Sequence, residues 1–317
     1  MCQSNDDPGR ILQFAAARDR IGPMKQTKYS LILLGCSVVW GSAFVAQSAA
    51  MDLGMLPYAF TAVRMLVGSV CLMPFIYLRR QTALPATRAG RKRLVKSGAL
   101  IGVTVAVASC FQQVGLQYTT AGKGAFLTAL YILLVPIVGA AFFHRKTGLF
   151  TWLCLIIGAT GLWFLSITES FTLEKGDALM ILCALVFSFQ ILLVDKFAPD
   201  FDPLTLCCLE FLTAGLLSLL PMAVFEGFGF QNIGPALFCI LYCGIFSCGI
   251  AYWLQIVGQR HLPPALASLI MSFESVFGAL FGALLLHERM TPRELLGCGL
   301  IFAALVLSQV IPQQRKE

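Results

Sequence analysis

Runs of roughly 20 apolar residues recur about ten times along this chain, and each is long enough to cross a hydrocarbon core of about 30 Å. Inside a bilayer, backbone N–H and C=O groups must be satisfied within the protein, so runs of this kind commit the chain to helices. Most connections are only a few residues long, which leaves no room for a separate soluble domain. The composition agrees: 58% of the 317 residues are hydrophobic and 12% charged, far from a globular balance. The fold class expected is an all-α integral membrane protein with about ten transmembrane helices.

The spans are expected near residues 29–51, 57–78, 94–117, 121–143, 147–168, 176–195, 203–226, 233–257, 262–286 and 291–312. Residues 1–28 are polar and read as a cytoplasmic tail, and 313–317 as a short C-terminal one. Pro57, Pro203 and Pro292 stand near span starts, where a missing N–H costs nothing. Pro74, Pro136 and Pro221 stand near span ends, where kinks are expected.

The formal charge of +7 is a matter of membrane orientation rather than nucleic-acid binding. One set of connections and tails holds Arg10, Arg18, Arg20, Lys25, Lys28, Arg79, Arg80, Arg88, Arg91, Lys92, Arg93, Lys96, Arg145, Lys146, Lys196, Arg260, Arg315 and Lys316. The opposite set holds Lys123, Lys175, Arg289 and Arg293. A bias of about 18 to 4 puts both termini in the cytoplasm under the positive-inside rule. Nearly all of the 12 cysteines lie in apolar runs, where thiols behave as small hydrophobes rather than disulfide partners. Cys239, Cys243 and Cys248 share one run, but no histidine or CxxC spacing makes them a metal site, so no metal or cofactor is expected.

The chain repeats itself. The segment from Leu56 lines up with that from Asp202, so that Pro57 falls on Pro203 and Arg64 on Glu210. The segment from Ala121 lines up with that from Pro263 or Pro264, with His144 on His287. Two related halves, 29–168 and 176–312, then carry five spans each. An odd number of spans per half turns the second copy upside down in the bilayer, giving two inverted five-helix repeats.

Several stretches together resemble the EamA-type permeases of the drug/metabolite transporter superfamily. They are Trp40-Gly41-Ser42, Pro57 through Arg64, Gly115 to Thr120 leading into Ala125 to Thr128 and Val135-Pro136, and Ser272-Phe273-Glu274 leading into His287-Glu288-Arg289. The resemblance covers residues 29–312 and rests on the order of these motifs. It implies a ten-helix transporter with a cavity between its halves, commonly an inner-membrane exporter of amino acids or other small metabolites. Where many such permeases have Glu-Pro in the ninth span, this chain has Glu274-Ser275 and so lacks the proline that would break the helix there. His144-Arg145-Lys146 closes the fourth span in place of the usual Gly-Glu or basic pair and suits a cytoplasmic loop.

The candidate site follows from polar groups set inside apolar runs. Gln112, Gln113, Gln117, Lys123 and Tyr131 cluster around the turn between the third and fourth spans. A membrane helix with several such groups needs a polar or wet place to point them. Lys123, between two glycines, is expected to snorkel to the outer surface. Arg64 and Glu274 sit at similar depths, roughly 10 Å from the outer face and roughly 18 Å from the inner one at 1.5 Å per residue. They are close enough in depth to meet, and Glu210 lies nearer the inner face. Charges at such depths are expensive unless they face the bundle interior. Trp40, Phe44, Gln47, Gln190, Tyr252, Trp253 and Gln255 add the stacking faces and amide donors an amphipathic solute requires. The fifth and tenth spans lack deep charged groups and are expected to pack outside the cavity.

No GxxxxGK[ST], HExxH, GxSxG or GxGxxG signature is present, so neither an enzyme nor an ATP-driven pump is expected. Glu210 and Glu274 are the deep carboxyls that could exchange a proton with a moving solute. The expectation is a secondary transporter of the inner or plasma membrane, working by alternating access on a small organic solute, as a monomer or homodimer. A membrane-embedded sensor or assembly partner using the same pocket without turnover is the alternative.

Overall fold

The structure is a computed structural model that describes residues 23–79, 84–119, 121–166, 175–286 and 291–310. His287, Glu288, Arg289, residues 1–22 of the N-terminal tail and the whole 313–317 tail therefore lie outside the described residues. The first span is Pro23–Asp52, the second Pro57–Leu78 and the third Arg88–Gly115. The fourth is built from Ala121–Ala129 and Tyr131–Phe143, and the fifth is Leu149–Ser166. Lys175–Phe197 forms the sixth and Pro203–Glu226 the seventh. The eighth runs from Leu237 to Gln259, with Tyr242–Ala251 wound as a π-helix. The ninth joins Pro264–Met271 to Glu274–Leu286, and the tenth is Pro292–Val310. Eight of these ten, all but the fifth and tenth, are long and apolar enough to cross a membrane; Leu149–Leu165 is a shorter apolar helix. The first helix begins six residues before the expected Tyr29, and the third six before the expected Leu94.

Proline and local side chains start the spans. Pro57 and Pro203 occupy first-turn positions, and Asp202 Oδ2 accepts from the Thr205 N–H at 3.1 Å. Thr291 and Glu294 form a reciprocal capping box: Glu294 Oε2 accepts from the Thr291 N–H at 2.6 Å and Thr291 Oγ1 from the Glu294 N–H at 3.3 Å. The second span is capped from afar. Both carboxylate oxygens of Glu226, at the end of the seventh span, accept from the backbone N–H groups of Tyr58 and Ala59 at 2.7 Å. A negative charge there also suits the positive end of the helix dipole. Gly227 then ends the seventh span at φ +58°.

Glycines set the closest approaches. A Cβ on Gly41 would fall 2.8 Å or less from Phe277 Cβ, the Gly278 nitrogen and the Glu274 carbonyl, so the first and ninth spans meet backbone to backbone. Gly102 brings the third span against the Glu210 carbonyl, where a Cβ would stand 2.5 Å away. The fifth and tenth spans pack on each other through Gly161 and Gly297.

The helix breaks do not fall at the prolines. The helices run on through Pro74, Pro136 and Pro221, whereas the fourth and ninth spans are interrupted at Leu130 and at Ser272–Phe273. The ninth span thus breaks without the Glu-Pro pair, correcting the expectation drawn from Ser275. The Ile270 oxygen accepts from the Phe273 N–H at 3.2 Å, and Ser37 Oγ of the first span shares its hydrogen between the Ile270 and Met271 oxygens at 3.1 and 3.3 Å. Ser275 Oγ donates at 3.0 Å to the Ala125 oxygen of the fourth span, tying the two broken helices together. Broken helices at membrane depth require such substitutes.

Ion pairs mark both ends of the bundle. At the end carrying the 79–88, 143–149, 197–203 and 259–264 connections, Arg93 pairs with Asp200 and Arg145 with Asp195, each at 2.6 Å. Arg260 donates there to the Pro199 oxygen at 3.2 Å. At the opposite end Lys123 pairs with Asp177 at 2.7 Å. Lys123 is therefore not snorkelling to the surface: Asp177 is wholly buried and draws the ammonium inward.

Candidate functional site

A central cavity is lined by eight of the ten spans, and the fifth and tenth contribute nothing to it. The first span supplies Trp40, Phe44 and Gln47, the second Arg64 and Met65, the third Ser109 and Gln112, and the fourth Thr128 and Tyr131. From the second half come Phe187 and Gln190, Phe211, then Ser247, Cys248, Tyr252 and Gln255, and finally Met271 and Glu274. Its volume is about 50 Å³. That is room for a few waters or one small solute.

The two halves line the cavity from matching positions. Setting Trp40 against Phe187 also sets Ala43 against Gln190 and Phe44 against Ile191. The register that puts His144 on His287 puts Ser109 on Tyr252, Gln112 on Gln255, Thr128 on Met271 and Tyr131 on Glu274. All of these residues line the space. Backbone positions are thus shared while the chemistry differs, which gives a chamber with unlike walls and favours an unsymmetrical occupant.

Both helix breaks lie at this chamber. Tyr131 is the first residue after the break in the fourth span, and Glu274 the first after that in the ninth. The π-helical stretch of the eighth span delivers Ser247 and Cys248 to the wall. Such a segment commonly marks a functional position. Its carbonyls have weak thiol partners: Cys36 Sγ donates to the Ala251 oxygen at 3.2 Å and Cys207 Sγ to the Cys248 oxygen at 3.8 Å. All eleven cysteines in the described residues are free.

The lining is an aromatic frame with polar groups aimed through it. Tyr252 meets the Trp40 and Phe211 rings edge to face, with centroids 4.9 and 4.8 Å apart. The Arg64 guanidinium lies 5.4 Å from the Phe60 ring centroid, a cation–π contact. Gln112 Nε2 reaches Thr128 Oγ1 at 3.4 Å. Gln190 Nε2 donates to Glu210 Oε1 at 2.9 Å, and the Gln190 and Gln255 amides face each other at 3.3 and 3.5 Å.

Tyr131 and Glu274 meet in the wall by a side-chain hydrogen bond, whereas three buried polar atoms of other wall residues have no hydrogen-bond partner among the described residues: Trp40 Nε1, Gln47 Oε1 and Arg64 Nε. Left unmet, each would cost on the order of 1–3 kcal/mol, more where charged. Their convergence on one space distinguishes this cavity from a packing defect.

Arg64 and Glu274 both line the cavity, yet no ion pair joins them among the described residues. Ten of the fourteen residues singled out from the sequence are in the wall: Trp40, Phe44, Gln47, Arg64, Gln112, Tyr131, Gln190, Tyr252, Gln255 and Glu274. The other four are elsewhere. Glu210 is fully buried one layer behind Gln190. Gln113 is fully buried with neither amide atom bonded to protein. Gln117 is exposed beyond the end of the third helix, and Trp253 packs into the core cluster around Met65 and Phe211. Four helical neighbours thus divide two and two: Gln112 and Tyr252 face in, while Gln113 and Trp253, a rotation of about 100° away, do not. Sequence inspection missed Ser109, Thr128, Ser247 and Cys248, whose small side chains carry no distinctive signal, and Asp177, which stands beside Lys175 at a span start.

The sequence profile of the EamA-like transporter family matches residues 27–167 and again 174–309. The chain belongs to this family. It is 29% identical over 271 residues to an uncharacterized transporter of Archaeoglobus fulgidus, spanning 86% of this chain and 82% of that protein. Over 178 residues it is 27% identical to the threonine/homoserine exporter RhtA of Escherichia coli K12, which covers 53% of this chain and 57% of RhtA. A solved crystal structure superposes with a TM-score of 0.73 over 89% of this chain and 98% of the other, at 17% identity. The fold is therefore the ten-helix EamA-like one, and the chain is a multi-pass membrane transporter.

Proposed function

We propose that this EamA-family chain is a secondary transporter of the cell membrane that exports a small amphipathic solute of amino-acid size by alternating access. The observation that carries the proposal is the cavity itself. It is closed in by both halves, framed by aromatics, and holds a guanidinium and a carboxyl that no ion pair among the described residues neutralises. Arg64 suits a solute carboxylate and Glu274 an ammonium group, while Trp40, Phe44 and Tyr252 suit an apolar side chain. The export direction is taken from the E. coli exporter, whose name assigns it threonine and homoserine.

The two five-helix units, 29–168 and 176–312, are the bodies that rock about the chamber. Matching wall positions in the two halves support that division. Clustering of Arg93, Arg145 and Arg260 at one end supports a cytoplasmic location for that end and for both termini. Glu274, in the wall, and Glu210, behind it, are the candidates for exchanging a proton against the solute. No nucleotide, metal or catalytic chemistry is invoked. Because one chain supplies the whole lining, a monomer suffices as the transporting unit, with or without assembly into a homodimer.

The test is counterflow in proteoliposomes. Purified protein is reconstituted, vesicles are loaded with unlabelled L-threonine, L-homoserine, L-phenylalanine or a cationic dye, and uptake of the labelled form is followed. Uptake of at least one solute that is lost in Arg64→Ala and Glu274→Gln is expected. Saturable binding of a solute without exchange would replace the carrier by a receptor.

A further inference from the structure

We infer that Glu210 is a positioning residue: through Gln190 it decides whether the Gln255 amide is tied to the protein or turned free to hold the solute. The inference rests on the cavity being the solute site and assigns a separate task to a carboxyl outside its wall.

A carboxylate only accepts hydrogen bonds, so Glu210 forces the nitrogen of Gln190 toward itself, as the 2.9 Å contact from Gln190 Nε2 to Glu210 Oε1 records. The Gln190 oxygen is left facing Gln255, whose Nε2 donates to it at 3.3 Å. Gln190 Nε2 meets Gln255 Oε1 in return at 3.5 Å. With Glu210 ionised, Gln255 therefore commits one N–H to Gln190. Both glutamines are in the cavity wall, and Glu210 is not.

The second carboxyl oxygen gives this arrangement an alternative. Glu210 Oε2 is buried and has no hydrogen-bond partner among the described residues. A proton taken up there from the aqueous phase through the cavity creates a buried O–H that must find an acceptor. The Gln190 oxygen is the acceptor already in the chain. If Gln190 turns so that its oxygen accepts from Oε2–H while its nitrogen still donates to Oε1, the acid and amide close a two-bond ring. Gln255 then loses its acceptor, and its N–H is free for the solute. Proton and solute are coupled without meeting at one atom.

The other ionisable groups around Glu210 are thiols and a phenol. Cys207 lies one turn earlier on the same helix, and Cys248 and Tyr252 approach from the eighth span. Cys71 of the second span lies near Cys207 and Cys248, and Arg64 and Glu274 are in electrostatic reach of Tyr252. The third span meets the Glu210 backbone carbonyl with Gly102.

Two measurements test the inference. In counterflow, the KM of a transported panel solute is followed from mildly acidic to mildly alkaline buffer. The wild-type KM should rise about threefold to tenfold toward the alkaline side, the worth of one hydrogen bond. Glu210→Gln, Gln190→Leu and Gln255→Leu should each flatten that rise, whereas in Glu274→Asp the rise should persist. A rise that survives in Gln190→Leu and Gln255→Leu but vanishes in Glu210→Gln would mean that Glu210 acts directly, and the inference fails. The second measurement needs no solute, so it stands even if no panel compound is exchanged. Acid-minus-alkaline infrared difference spectra of the protein in lipid nanodiscs should show a carboxyl C=O band absent from Glu210→Gln. That band should shift in both Gln190→Leu and Gln255→Leu. A Glu210 band identical in wild type and Gln190→Leu, or no band assignable to Glu210 in properly inserted protein, overturns the proposal.

Discussion

A guanidinium inside a bilayer must be offset, and Arg64 is offset in an unusual way: 4% exposed, stacked over Phe60, and joined to no carboxylate within the described residues. Its backbone is held in place by the second and eighth spans, where a Cβ on Gly244 would come 2.9 Å from the Arg64 carbonyl. A planar fork can grip a carboxylate at two points, which an ammonium cannot. Arg64→Lys should therefore retain the charge but lose about tenfold or more in counterflow KM, the scale of one charge-assisted hydrogen bond. Arg64→Ala should remove exchange altogether at equal membrane abundance. The Lys123–Asp177 pair behaves differently because its cation keeps 24% of its side-chain exposure. Lys123→Ala leaves a buried carboxylate without its ammonium, so a loss of about 1–3 kcal/mol is expected after discounting a buried-pair penalty for that exposure. Thermal unfolding in detergent should show Lys123→Ala to be less stable than Asp177→Asn, which removes the buried charge.

At the level of elements, the broken fourth and ninth spans explain why the chamber lies where it does. A continuous helix would keep its carbonyls to itself, whereas the break after Met271 exposes oxygens that Ser37 collects and turns Glu274 into the wall. Ser275 occupies the first turn of the half-helix that begins at Glu274, a place that tolerates proline. Ser275→Pro gives up both the Oγ bond to Ala125 and the Ser275 N–H bond to the Ser272 oxygen at 3.2 Å, so it should insert and fold but lose about 1–3 kcal/mol of stability. Proline at Phe277, whose N–H donates to the Phe273 oxygen at 2.9 Å, should abolish folded protein on size-exclusion chromatography. Gly41 is equally restrictive. Gly41→Val would overpack a backbone contact with the ninth span, at a cost of about 1–3 kcal/mol, and lower the melting temperature.

For the whole molecule, the two ends differ in charge, and that difference is the handle for topology. Lys96 and Lys146, both exposed and both at the end that holds Arg93 and Arg145, should react together with an impermeant amine reagent from one side of the membrane. Lys175, exposed at the other end, should react from the opposite side. Labelling of Lys96 and Lys146 from opposite faces would dismantle the ten-span inverted plan. That plan was legible in the chain because membrane insertion is governed by local quantities: run length, hydropathy and flanking charge need no knowledge of neighbours. Pro57 on Pro203 and Arg64 on Glu210 made the duplication visible for the same reason. Rotation about each helix axis was less legible. Gln112 and Gln113, or Tyr252 and Trp253, are adjacent in sequence and alike in polarity, and only the packing of the third and eighth spans on their neighbours turned one of each pair inward. Likewise Glu210 was placed behind Gln190, Lys123 drawn to Asp177, and the ninth span broken without a proline by partners far away in the chain. The sequence alone determined how many times this chain crosses the bilayer and that polar groups are carried inside, since each apolar run answers to the lipid independently. Tertiary structure decided which of those groups share one chamber and which pair off elsewhere, because a buried polar atom takes its role from whatever partner the packing brings within hydrogen-bonding distance.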